Sequence, residues 1–302
     1  MNAASLNSHR FWAYLQLMRP ANIVTSWADI LAGFAISGFV ALQAGTAAET
    51  LLWLLLATTG LYGGGVVFND VFDAALDAQE RPERPIPSGK ASRQGATILA
   101  SVLLAIAVVA AAQVSWLSAI LATCIAIAAV VYDSLGKHQP IIGALNMGLC
   151  RGGNLLLGMS ATPAMVGEYW YLALIPIIYI AAITSLSQGE VHGAKGNSPA
   201  IALLLIIAVI VGLFGLELLP NYHILKALPA IALFAGYLLP SVIQAVRQPT
   251  PEQLRNAVRS GVLSLVILDA TIATGFAGLP YGLLILCLLS ISIALAQIFA
   301  VT

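Results

Sequence analysis

Charge is what this sequence has least of. Only 9% of its 302 residues are charged, against about 25% in an ordinary soluble domain, which excludes a water-facing globular surface. Lysine plus arginine and aspartate plus glutamate number 13 each. The balance leaves no basic excess of the kind that marks a nucleic-acid partner. Cysteine is nearly absent: Cys124, Cys150 and Cys287 stand singly in apolar stretches. Without a C-x-x-C or other ligand spacing they read as small core residues rather than a metal or redox centre. His9, His138 and His223 show no ligand spacing either. The N-terminal stretch through Arg10 and Arg19 lacks a short apolar run ending in a small-residue cleavage site, so the first apolar segment reads as a retained helix.

Apolar residues are abundant. They make up 60% of the chain, and the mean hydropathy is +0.93. A membrane-crossing helix needs about 20 mostly apolar residues. Ten segments qualify: 17–41, 50–68, 96–113, 115–132, 140–161, 169–187, 198–218, 224–246, 257–276 and 280–300. Gly, Pro and polar residues punctuate them, as at Gly136-Lys137, Thr162-Pro163, Pro220-Asn221 and Gln248-Pro249. The expected fold is all-α, a polytopic transmembrane helix bundle. Residues 1–302 form one membrane-embedded domain, with no linker long enough to divide it.

Basic residues orient the bundle, because cytoplasmic loops are enriched in Lys and Arg. With the N-terminus inside, Arg10, Arg19, Arg81, Arg84, Lys90, Arg93, Lys137, Lys195, Arg247, Arg255 and Arg259 all fall on the cytoplasmic face. Lys226 falls outside and Arg151 within a helix, so 11 of the 13 basic residues share one side. The longest polar stretches, residues 69–94, 132–139 and 188–197, follow the second, fourth and sixth segments on that side. The expected location is the cell's inner membrane, with these loops cytoplasmic.

The second segment ends in three glycines, Gly63-Gly64-Gly65, followed by Asn69-Asp70-Val71-Phe72-Asp73-Ala74-Ala75-Leu76-Asp77. Asp70, Asp73 and Asp77 stand at i, i+3 and i+7, so a helix sets all three on one face, with Asn69 bordering it. Carboxylates so close repel unless water or cations intervene. Mg²⁺ prefers oxygen ligands, takes one or two carboxylates, and completes its shell with water and substrate phosphate. A metal-bridged diphosphate suits this array. Next comes Arg81-Pro82-Glu83-Arg84-Pro85-Ile86-Pro87-Ser88-Gly89, a proline-set loop whose arginines suit phosphate oxygens. The rival reading is a solvated acidic turn. Further along, Arg151 within an apolar helix is costly unless it faces a cavity or partner, and Asn154 at i+3 shares its face. Asp269 is a candidate partner for Arg151; Asp29 is a second intramembrane acid without an assignment. Tyr62, Phe68 and Tyr132 present ring faces to a developing cation or anchor helix ends at the interface.

The run from Asn69 through Gly89 resembles the first Asp-rich motif of the UbiA superfamily of intramembrane prenyltransferases, and is especially similar to the branch that prenylates glycerol-phosphate ethers. Arg19-Pro20-x-Asn22 resembles the family's first-helix signature, Tyr132-Asp133-Ser134-x-x-Lys137 its Tyr-x-x-x-x-Lys element, and Asn146, Arg151 and Asn154 its polar fifth helix. The resemblance implies nine helices around a central cavity, with the tenth segment an addition. It also implies Mg²⁺ on Asn69, Asp70, Asp73 and Asp77, with Asp70, Asp73, Asp77 and Lys137 as the catalytic set. A polyprenyl diphosphate would lie among Arg19, Asn22, Asn69, Arg81, Arg84, Tyr132, Asn146, Arg151, Asn154 and Glu190. Its prenyl group would pass to a lipid or small-molecule acceptor.

The family's second Asp-rich motif has no counterpart here. Its place is taken by Ser185-Leu186-Ser187-Gln188-Gly189-Glu190-Val191-His192, in which Glu190 is the only acid. In this the chain is similar to the divergent UbiA-like proteins called EboC. Three other functions fit the same residues: a non-catalytic isoprenoid carrier, an isoprenoid cyclase-like enzyme, and an ion-coupled transporter using Asp29, Arg151 and Asp269. Diphosphate release separates enzymes from the rest, and product mass separates transfer from cyclisation.

Overall fold

The structure, a computed structural model, describes residues 3–38, 44–136, 139–190, 193 and 196–299. It is a helix bundle with no strand among the described residues. Helices α1 (Ala3–Met18) and α2 (Pro20–Ile36) lead into α3 (Ala44–Phe72), which continues as the short α4 (Ala74–Glu80). Then come α5 (Arg93–Ala112), α6 (Trp116–Val131), a π-helical turn (Tyr132–Gly136), α7 (Pro140–Met159) and α8 (Pro163–Tyr169). A 3₁₀ turn (Trp170–Ala173) joins α8 to α9 (Leu174–Ser187), followed by α10 (Ser198–Gly215), α11 (Ile224–Arg247), α12 (Pro251–Ala277) and α13 (Leu279–Phe299).

Each of the ten expected segments contains a helix, and the ends of the first, at 39–41, and of the last, at 300, lie outside the described residues. Among the described residues, eight helical stretches are long and apolar enough to cross a membrane. The ten segments exceed that number by two, α2 and α7. These carry Asn22, Thr25, Ser26 and Asp29, and Asn146, Arg151 and Asn154. Their polarity belongs to the site described below. The sixth segment begins earlier than expected, at Pro163, and bends through its 3₁₀ turn. α1 lies outside the ten segments. Proline supplies N-terminal pre-organisation in α2, α7, α8, α10 and α12, where its missing N–H costs no helix bond.

The outer surface is strongly apolar. Ile141 is 83% exposed and Leu204 66%, a pattern stable only against lipid. Cys124 and Cys287 are also exposed and Cys150 is half-buried, so the cysteines are not core residues. On apolar helix faces a thiol meets lipid at little cost. The main core gathers around α2, α9, α11 and α12, with Tyr179, Phe234, Leu238 and Leu186 fully buried.

Small residues set the closest approach. A side chain at Gly158 of α7 would meet the Ile30 backbone of α2, its Cβ falling 2.9 Å from Cα. One at Gly33 would fall 2.7 Å from the Met159 amide nitrogen. Two glycines facing each other's backbones let α2 and α7 pack at a distance that larger residues forbid. That contact brings Asp29 to Arg151.

Candidate active site

A cavity of about 420 Å³ opens within the bundle. Its two sides differ. Leu61, Ile125, Ala129, Ile180, Ile183 and Leu265 give it hydrocarbon, while Thr25, Ser26 and Asp29 of α2, with Arg151 and Asn154 of α7, give it a polar wall. Arg19, Asn22, Asn69, Tyr132 and Asp133 line it as well. Of the residues expected at the site, Arg19, Asn22, Asn69, Tyr132, Arg151 and Asn154 therefore come together around one space.

The remainder lie beside that space. Asp70 accepts a hydrogen bond from Arg19 Nη2 at 2.6 Å and lies 3.5 Å from Arg84 Nη1. Arg84 Nη1 also donates to both oxygens of Asp77, at 3.0 and 2.8 Å. Two buried carboxylates and two guanidiniums thus form one balanced chain across the ends of α2 and α3 and the following loop. The expected continuous helix is interrupted at Asp73, which stands between α3 and α4 as the latter's N-cap. The i to i−4 bonding persists, from Asp73 N to Asn69 O and from Asp77 N to Asp73 O. Asp70 and Asp77 accordingly still share Arg84. Asp73 is half-buried.

Arg19 reaches Asp70 from an unusual backbone conformation. It is the one non-glycine residue with positive φ among the described residues, at φ 50 and ψ 66. The left-handed region is costly for a branched-backbone residue, and Pro20 further restricts the residue before it. The kink turns the chain from α1 into α2 and aims the guanidinium at the end of α3.

Arg81 is exposed, and neither Arg81 nor Asn146 lines the cavity. Asn146 Oδ1 accepts a weak bond from Cys150 Sγ at 3.7 Å. Glu190 is half-buried and also off the cavity. Burial pushes its carboxyl above the usual range, and the positive charge of Arg255 opposes the shift. Lys137 lies outside the described residues. Of the aromatics, Tyr62 and Tyr132 line the cavity while Phe68 packs on Phe72, ring centroids 6.2 Å apart.

Two acids gain positions that the sequence did not suggest. Asp133, in the π-helical turn, is 3% exposed and accepts a bond from Asn69 Nδ2 at 2.9 Å. Its place beside Tyr132 in the fourth-helix element was the available signal. Asp29 is the ion-pair partner of Arg151, at 2.7 Å, and also accepts from Asn154 Nδ2 at 2.9 Å. Arg151 further donates to Thr25 Oγ1 at 2.9 Å and to the Thr25 carbonyl at 3.2 Å, and its guanidinium sits 5.6 Å from the Tyr62 ring centre. Asp269, the partner expected from sequence, stands behind Asp29 within hydrogen-bonding reach of it.

The oxygen-rich donors at this end of the cavity suit a hard cation. Among the described residues no three His, Cys, Asp or Glu side chains converge into a cage. Mg²⁺ needs no such cage, since one or two carboxylates, water and phosphate oxygens complete its shell. Asn69, Asp73 and Asp133 fit that role without displacing the arginines from Asp70 and Asp77.

The UbiA prenyltransferase family model matches residues 30–266. The chain belongs to this family. Among UbiA relatives, the digeranylgeranylglyceryl phosphate synthase of Ignicoccus hospitalis is 31% identical over 189 residues, 62% of this chain and 60% of that one. The chain thus spans less than two thirds of that relative's length. A UbiA homologue from Aeropyrum pernix K1 superposes with a TM-score of 0.69 at 16% identity, over 83% of this chain and 96% of that one. A UbiA homologue from Archaeoglobus fulgidus bound to GPP and Mg²⁺ superposes with a TM-score of 0.54 at 15% identity, over 91% and 99%. At such identities the structural likeness establishes the UbiA fold. It accounts for the cavity enclosed by α2, α3, α6, α7, α9 and α12.

Proposed function

We propose that this protein transfers a prenyl group, within the membrane, from a polyprenyl diphosphate to a lipid or small-molecule acceptor, with Mg²⁺ at the cytoplasmic rim. One observation carries the reading: an apolar cavity whose end is ringed by oxygen donors and two arginines held on carboxylates. The isoprenoid tail fits the hydrocarbon side. Its diphosphate fits the rim, where Arg19 and Arg84 turn from Asp70 and Asp77 to phosphate oxygens. Lys137 is proposed to join them. A UbiA homologue from A. fulgidus is bound to GPP and Mg²⁺, which supports the metal; Asn69, Asp70, Asp73 and Asp77, with Asp133 beside them, are the donors proposed here.

Mg²⁺ bound there supplies Lewis-acid neutralisation of the leaving group. The arginines stabilise the same developing charge electrostatically. The C1–oxygen bond of the prenyl diphosphate breaks and its electron pair leaves on diphosphate. The acceptor atom then forms its bond to C1, and its proton passes to the departing diphosphate. The apolar wall keeps water from the allylic cation, while the Tyr132 ring at the rim offers it a π face. The test is to incubate the purified protein in lipid nanodiscs with allylic diphosphates of several lengths, with Mg²⁺ or with chelator. Mg²⁺-dependent diphosphate release with a prenylated product is the expected result.

The absent second acidic motif favours a second reading, an isoprenoid carrier on the same scaffold. Glu190 stands alone where the family has several carboxylates, and Arg255 offsets its charge. Binding of prenyl diphosphate without any diphosphate release distinguishes it.

A further inference from the structure

The cavity's polar wall is the feature that an isoprenoid tail leaves unexplained. A hydrocarbon gains nothing from Thr25, Asp29, Arg151 and Asn154 in the middle of a bundle, and ionisable groups there are expensive to maintain. Their bonding shows what they can still hold. Asp29 neutralises Arg151 at 2.7 Å, and Tyr62 covers one face of the guanidinium. Asp29 also takes the amide hydrogens of Asn154, whose Nδ2 is further bonded to the Ser26 carbonyl at 2.9 Å. What remains is acceptor capacity. Asn154 is 5% exposed and lines the cavity, and its Oδ1 has no hydrogen-bond partner. Asp269 Oδ2, behind Asp29, is likewise buried without a partner. A buried unsatisfied oxygen costs about 1–3 kcal/mol, so the wall is built for a ligand that donates a hydrogen bond.

The charge on this wall decides the ligand class. The guanidinium is already closed on Asp29 at 2.7 Å, so no uncompensated positive charge is left for an anion. We propose that the polar wall is the acceptor subsite, that it takes an uncharged hydroxyl-bearing lipid whose hydroxyl donates to Asn154 Oδ1, and that Asp29 excludes anionic acceptors by neutralising Arg151. The proposal rests on the prenyl-transfer reading for the word acceptor, and its binding test is independent of turnover. The same pair of walls assigns the hydrocarbon of both substrates to the apolar side and the neutral head to α2 and α7.

The test uses two probes that differ only in charge: a 1-O-isoprenylglycerol ether and its 3-phosphate ester, titrated against the full chain in zwitterionic nanodiscs. The uncharged ether is expected to bind at least about tenfold more tightly, the ratio expected when a phosphate must be desolvated against a buried wall that offers it no free positive charge. Asp29→Asn releases Arg151 and is expected to erase or invert that ratio. Asn154→Leu, which leaves the Asp29–Arg151 pair in place, is expected to weaken the ether about tenfold and carries the test if Asp29→Asn does not fold. Equal or tighter binding of the phosphate ester by the parent overturns the proposal. So does failure of the uncharged ether to bind, even where an unreactive prenyl thiolodiphosphate binds with Mg²⁺. That last pattern leaves the donor half of the proposed function standing, whereas failure of the thiolodiphosphate itself overturns the donor half.

Discussion

The rim and the middle of the cavity are both built from arginine and aspartate, yet they are wired differently. At the rim, Arg19 and Arg84 face Asp70 and Asp77, two against two, and Arg19 retains 23% side-chain exposure. In the middle, Arg151 pairs with Asp29, one against one, with Arg151 at 11% and Asp29 at 1% exposure. A balanced, partly wet chain can exchange partners cheaply, because each released charge is rehydrated or meets a phosphate. A dry pair cannot, because each released charge stays in low dielectric. The rim therefore suits capture and release of an anion, and the middle suits a fixed neutral recognition surface.

Removing the cation from the middle is expected to have the largest effect. Arg151→Leu strands the Asp29 carboxylate and should destabilise the fold by about 3–5 kcal/mol, read as the midpoint of denaturant unfolding in bicelles. The Arg151→Leu, Asp29→Leu double variant should recover most of that loss. If the single variant unfolds like the parent, the two regions do not differ in the way described.

Next comes Asp73, the carboxylate proposed to face the metal. Asp73→Ala should weaken Mg²⁺-dependent prenyl diphosphate binding by about 3 kcal/mol, roughly 150-fold, with little change in unfolding. Glu190→Ala should weaken it far less. The reverse order would move the site to the end of α9.

Gly158→Val tests the seam that joins the two regions. Its side chain meets the Ile30 backbone, so an overpacking cost of about 1–3 kcal/mol is expected, together with loss of the Asp29–Arg151 contact. The smallest effect belongs to Arg19→Ala, about 1 kcal/mol or less in stability, because the pair is partly solvated. Its donor affinity should fall more than its stability, which a merely structural ion pair would not do.

Much of this was legible in the residues. The ten helical segments follow from apolar runs and their Gly and Pro borders, and the acid-rich end of α3 from spacing alone. Arg151 was identified as facing a partner, with Asp269 as the candidate; Asp269 acts on it through charge, while the direct ion pair is with Asp29. Asp29 and Asp269 are both lone intramembrane acids, and only the glycine-to-backbone approach of α2 and α7 selects the one 122 residues away. The break at Asp73 was equally hidden, since the i, i+3 and i+7 spacing of the acids reads as one unbroken helix. The left-handed Arg19 is a tertiary outcome too. Asp133 was overlooked because a single acid beside a tyrosine carries no periodic signal until Asn69 is brought against it. α1 lacks the apolar length that identifies a span.

Whether the rim captures a metal-bridged diphosphate is the claim on which the rest depends. The most direct measurement titrates an unreactive prenyl thiolodiphosphate against the parent protein in nanodiscs, with Mg²⁺ and with chelator. Tight binding with Mg²⁺, and loss of about two orders of magnitude without it, is the result expected for carboxylates that reach phosphate only through a cation. Equal affinity in both conditions would contradict the account, and the acidic end of α3 would then be a surface balanced by its own arginines.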